Sequence, residues 1–82
     1  MVKFRFVIVD DFDNVIEVLV ESPEYTDRWC KEWSDFEYQT LLELDNKYNF
    51  NDWENVPTIE TQKFENGCWK FHSNTLEDWF NL

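Results

Sequence analysis

The side chains with the widest chemical repertoire in this chain are one histidine, His72, and two cysteines, Cys30 and Cys68. Thiolate–imidazole catalysis requires the two groups within hydrogen-bond reach. Cys68 and His72 read as members of one strand, where a rise of ~3.3 Å per residue sets them about 13 Å apart. Cys30 with His72 stays open as a pair. A Ser–His–Asp arrangement would have to draw Ser22, Ser34 or Ser73 to the same histidine. A zinc site would need Cys30, Cys68, His72 and a carboxylate to converge without any CxxC spacing. The only glycine, Gly67, belongs to the Asn66-Gly67 turn, which leaves no glycine-rich loop for a phosphate. Carboxylates are so abundant that no pair of them is distinctive for acid–base work. The expectation is a protein that is not an enzyme and uses no cofactor, with His72 in the core or at an edge.

The acidic run Asp10-Asp11-Phe12-Asp13 raises a second chemistry. Counted from Asp11 it begins like a calcium loop. It lacks the glycine at the sixth position, an acid or Asn at the fifth, and the closing glutamate at the twelfth. It reads as a solvated turn, and no metal is expected.

Charge is more informative. The chain has 82 residues, 18 Asp plus Glu against 7 Lys plus Arg, and a formal net charge of −11. The excess is spread evenly, at −3 over residues 1–21, −4 over 22–50 and −4 over 51–82. A fifth of the residues are aromatic, which separates the chain from disordered acidic segments of low hydrophobicity. Such a charge disfavours direct contact with nucleic acid, where lysine and arginine replace counterions. An anionic membrane surface repels it likewise. No apolar run approaches the ~20 residues of a membrane span, and the N-terminus lacks a signal peptide's apolar segment. The expected setting is cytoplasmic (host cytoplasm if the source is viral), with both thiols reduced.

The elements follow from periodicity. Residues 2–9 and 15–21 alternate in the manner of strands. Residues 10–14 have the composition of a turn. Pairing Ile8 with Ile16, Phe6 with Val18 and Phe4 with Val20 gathers one apolar face and sets Lys3 opposite Glu21. Ser22-Pro23-Glu24 has the form of a helix cap, first position and acidic first turn. Trp29, Cys30, Trp33, Phe36, Leu41, Leu44 and Tyr48 then fall within an arc of roughly 140° at about 100° per residue. This predicts one continuous helix over 24–48, ~37 Å long. Residues 49–55 read as a loop. Residues 58–65 and 68–72 read as strands joined at Asn66-Gly67, a strong hairpin signal. Ser73 is expected to cap a short helix to Phe80. The fold class is α+β, one small domain over 1–82: two hairpins in the order β-β-α-β-β-α form a small antiparallel sheet, with the long amphipathic helix on one face. Trp29, Trp33, Phe36, Phe4, Phe6, Phe64, Phe71 and Trp79 are the expected core rings.

What remains outside is acid beside aromatic. The helix's outer face carries Glu24, Asp27, Glu32, Asp35 and Glu43, offset by Arg28, Lys31 and Lys47. Surplus like charge on a helix is mildly unfavourable. Tyr38 and Leu42 fall on that same polar side. Phe12 stands at the turn among Asp10, Asp11 and Asp13, and Trp53 lies between Asp52 and Glu54. Tyrosine and tryptophan within a polar rim are typical of binding hot spots, and an arginine from a partner stacks well on such rings. The candidate partner-binding residues are Asp10, Asp11, Asp13, Glu32, Asp35, Tyr38, Glu43 and Trp53.

In size, acidity and lack of a catalytic set, the chain resembles the general style of phage and mobile-element inhibitors that occlude nucleic-acid-binding enzymes, such as anti-CRISPR and antirestriction proteins and glycosylase inhibitors. The likeness is one of composition and size; it covers no motif and carries no residue over. It implies an inhibitor or decoy on the basic surface of a nucleic-acid-binding protein, itself a monomer or small homo-oligomer. The alternative is a small adaptor subunit that docks through an aromatic patch, with the acids serving solubility.

Overall fold

The computed structural model describes residues 1–26 and 30–82. Two hairpins build one four-stranded antiparallel sheet from β1 (Lys3–Val9), β2 (Val15–Glu21), β3 (Ile59–Glu65) and β4 (Cys68–Asn74), in the order β2-β1-β3-β4. Helix α1 spans Lys31–Tyr48, a 3-10 segment follows over Phe50–Asn55, and helix α2 closes the chain over Thr75–Phe80. The fold is α+β, as the periodicity predicts, with the 3-10 segment added.

One face of the sheet makes the core. Phe4 and Phe6 alternate toward the helices, where Trp33, Leu41 and Leu44 of α1 and Phe50 of the 3-10 segment bury against them. Leu76 and Trp79 of α2 pack at its margin. Phe4 lies flat on Trp33, centroids 3.8 Å apart and planes 15° apart. Offset and stacked rings of this kind add to the gain from burial alone. Both helices and the 3-10 segment join this cluster, so among the described residues no helix covers the other face of the sheet, whose centre is nonetheless buried at Val7, Glu60 and Gln62.

Helix α1 begins later than the residue pattern suggests. Ser22 does not cap a helix: its Oγ accepts the Phe4 N–H at 2.8 Å and donates to the Pro23 carbonyl at 2.8 Å. The chain runs on beside β1 as far as Tyr25, which exchanges backbone hydrogen bonds with Val2 at 2.8 and 2.6 Å. The N–H groups at the start of β1 need partners, and that need overrides the local capping preference. Cys30 is the true cap, its Sγ accepting the Trp33 N–H at 3.4 Å. The continuous 24–48 helix is therefore replaced by one of 18 residues. Asp27, Arg28 and Trp29 lie outside the described residues. At the other end Asn49 turns left-handed (φ 56°) and Asp45 accepts the Phe50 N–H at 2.9 Å, which swings Phe50 into the core.

Register is the second correction. Val9 faces Val15 as expected. Two irregularities then shift the ladder, so that Val7 faces Val18, Phe6 faces Val20 and Arg5 faces Glu21. Each extra residue in a bulge moves the pairing by one. The expected charge match survives diagonally, with Lys3 Nζ 2.9 Å from Glu21. The second hairpin turns at Asn66 (φ 55°) and Gly67 (φ 81°), the doubly left-handed geometry for which Asn-Gly is favoured. Asn74, not Ser73, caps α2; Ser73 Oγ donates to Asp78 at 2.6 Å. Both cysteines are free thiols.

The ring assignment changes too. Phe71 is 62 % exposed and Phe50 is fully buried. Ile59 and Thr61 face the core, so alternation sends Phe64 to the opposite side. There it meets Trp69 edge-on at 5.2 Å.

Candidate functional site

The candidate residues occupy three places. Glu32, Asp35, Tyr38 and Glu43 share the outward side of α1 with Leu42, and all five are exposed. On a helix, residues three and four apart adjoin, so Asp35, Tyr38 and Leu42 form a line with Glu32 and Glu43 beside it. Among the described residues Lys31 offers the one ion pair in this patch, to Asp35 at 3.7 Å, with both side chains mostly in solvent. Such a pair contributes little. The patch is therefore net acidic, with an apolar centre.

Asp10, Asp11 and Asp13 form the β1–β2 turn. Asp10 Oδ1 accepts the N–H groups of Phe12 and Asn14 at 2.9 Å each, and Asp13 takes a left-handed φ of 62°. The hydrogen bonds from Asn14 and Phe12 hold the Asp10 carboxyl below its ordinary range. Asp10 thus shapes the turn, and Asp11, Phe12 and Asp13 stand out from it, Phe12 at 83 % exposure.

Trp53 projects from the 3-10 segment, 57 % exposed. Its neighbour Asp52 is fixed by Asn55 Nδ2, which donates to both carboxylate oxygens at 2.9 and 3.0 Å. The Val9 N–H bonds the Thr58 carbonyl at 3.0 Å. That contact brings the acidic turn to the end of the sheet where the chain enters β3 from the 3-10 segment. Among the described residues, the ion pair of Lys31 with Asp35 is the one salt bridge to the acids of the turn, the 3-10 segment and the outer side of α1.

One acid was not among the candidates. Glu37 lies on the inward arc of α1, half-buried against α2. Burial pushes its carboxyl above the ordinary range, and the Asp78 carboxylate adds to this. A carboxyl with a raised folded-state pKa penalises folding while ionised, and the penalty fades as pH falls through that pKa. Glu37→Gln is expected to raise the melting temperature by a few degrees at pH 7, at ~4–8 °C per kcal/mol for a domain of this size. The gain should vanish near pH 4, and melting curves at both pH values check it. The sequence held the signal, since Glu37 falls inside the apolar arc.

His72 packs edge-on against Phe4 at 5.2 Å and Trp33 at 6.5 Å. Among the described residues no group of three or more His, Cys, Asp or Glu side chains is placed to hold a metal ion, and no helix is long and apolar enough to cross a membrane.

Fold and surface together define a two-layer α+β domain with an acidic, aromatic-studded helix side. Comparison with known proteins adds no relationship: no family model matches the chain, and no curated protein and no solved structure matches it.

Proposed function

We propose that this protein is a non-catalytic inhibitor or decoy that occupies the basic, nucleic-acid-binding surface of a partner enzyme, in the manner of phage counter-defence proteins. The observation that carries the proposal is the outward side of α1, where Glu32, Asp35 and Glu43 surround exposed Tyr38 and Leu42. Exposed carboxylates meet a groove built for phosphates, and the rings supply the desolvated contacts from which most interface energy comes. The helix is about 27 Å long, shorter than a continuous 24–48 helix. The anionic surface therefore draws on the turn at Asp11 and Asp13 and on Asp52, Glu54 and Trp53 as well.

The test uses the intact chain as bait, beside a Glu32→Lys/Asp35→Lys/Glu43→Lys variant. The wild type should capture a nucleic-acid-binding protein and displace duplex DNA from it. The variant should associate at least about tenfold more slowly, since steering by charge acts chiefly on the on-rate. Association should slow as salt rises from ~50 to ~500 mM, over which screening shortens to a few ångströms. Indifference to salt and to charge reversal, with loss of binding on Trp53→Ala or Tyr38→Ala, would instead identify an adaptor that docks through its rings.

A further inference from the structure

The face of the sheet on which, among the described residues, no helix packs differs from the rest of the surface. Register places its residues in rows: Lys3, Phe64 and Trp69; then Glu21, Arg5, Gln62 and Phe71; then Val18, Val7, Glu60 and Asn74. Arg5 lies over the Trp69 ring at 4.3 Å and donates from Nε to Gln62 Oε1 at 2.8 Å. Gln62 in turn donates to Glu60 at 2.9 Å, and Lys3 pairs with Glu21. The face thus holds two cations and two anions in a molecule of net charge −11, together with exposed Phe71 and Val18.

We propose that this face is where a second copy of the chain docks. Three features point to that occupant. A two-fold contact sets one patch against itself, so the patch must contain its own charge complements; Lys3 and Arg5 with exposed Glu21, and Glu60 buried beneath them, meet that requirement. Two bodies this acidic approach most readily where their local charge cancels, which within the sheet is this face. A basic partner finds no net attraction there and is directed to the helix side. The accessible apolar content, exposed Phe71 and Val18 with half-buried Phe64 and Trp69, supplies what sheets bury when they stack ~10 Å apart. Four strands of seven residues span roughly 19 by 23 Å at strand spacings of ~4.8 Å and rises of ~3.3 Å. Two such faces together come to roughly 900 Å², below the ~1,000 Å² that stable interfaces clear, so the dimer is weak and reversible. Docking of this kind would leave α1, the acidic turn and Trp53 outward in both copies.

The proposal does not rest on the inhibitor reading, and its salt dependence has the opposite sign. Screening weakens repulsion between like-charged copies, so self-association should strengthen as salt rises. Sedimentation velocity of the full chain between about 10 µM and 1 mM, in the range where small interfaces associate, should show mass approaching twice the monomer's, more completely at ~500 than at ~50 mM salt. Phe71→Lys and Val18→Lys, both at exposed positions, should each return the protein to a monomer with an unchanged circular dichroism spectrum. Glu43→Lys, on α1, should leave the dimer in place or strengthen it. A monomer throughout that range overturns the proposal. So does a dimer that survives both substitutions, or one that weakens as salt is added.

Discussion

Replacing Trp33 with alanine should lower the melting temperature by about 20 °C, on the order of 3–5 kcal/mol of lost stability at ~4–8 °C per kcal/mol. Trp33 lies at the centre of the aromatic layer. It stacks on Phe4 and has Phe6, Tyr25, Phe36 and His72 within 6.1 to 6.5 Å, centroid to centroid. No other ring of α1 enters the fully buried cluster, where Leu41 and Leu44 are its companions. A chain of this length has in all roughly 4–12 kcal/mol of stability, so the variant would sit close to its unfolding threshold. Trp33→Phe keeps a stacked ring and should recover more than half of the loss. Urea titration followed by far-ultraviolet circular dichroism gives both numbers. A deficit under about 1 kcal/mol for the alanine variant, far below ordinary core truncations, would mean that α1 is not seated on Phe4.

How much of this could be read from the chain depends on whether local pattern or distant partners decided the outcome. The alternation in β1, the Asn66-Gly67 turn and the positions of Trp33, Leu41 and Leu44 on one arc are local, and the structure has them. The start of α1 is not local. Ser22-Pro23-Glu24 carries every short-range sign of a helix cap, yet the Phe4 N–H, distant in sequence, claims the serine hydroxyl. Bulges are equally invisible, because one inserted residue costs nothing in composition but resets the alternation beyond it. Alternation from Trp69 leaves Phe71 outside and turns His72 toward Phe4, and the irregularity between Thr61 and Gln62 moves only the pairing of Ser73 and Asn74 beyond it. Phe64 was legible in principle, being out of phase with Ile59 and Thr61.

The same division applies to the candidate site. Outward positions on α1 follow from helical phase, so Glu32, Asp35, Tyr38 and Glu43 fall together as their spacing requires. The relation of the acidic turn to the 3-10 segment that carries Trp53 depends on the Val9–Thr58 contact, a tertiary event. The sheet face away from the helices was hidden for a deeper reason. Its cations, Lys3 and Arg5, look in the sequence like ordinary surface residues. Only strand order shows that they stand over Trp69 and beside Gln62.

Gln62 is the joint of that face, and Gln62→Leu should cost about 2–3 kcal/mol, the penalty for stranding a buried charged group without its donor. Glu60 and Gln62 are each 8 % exposed. The Gln62 amide receives from Arg5 on its oxygen and donates to Glu60 from its nitrogen, so one side chain aligns its dipole between a cation and an anion. Leucine fills much the same volume, so packing changes little and the loss isolates the hydrogen bonds. The Glu60→Met/Gln62→Leu double variant should then be more stable than Gln62→Leu alone. Removing both partners abolishes the desolvation penalty that removing one exposes, and residues in one network couple in this way. Urea unfolding of the wild type, the two single variants and the double variant closes the cycle. A double variant that loses the full sum of the two single losses would show that Glu60 draws nothing from Gln62, and that the hydrogen-bonded chain from Arg5 does not stabilise the sheet.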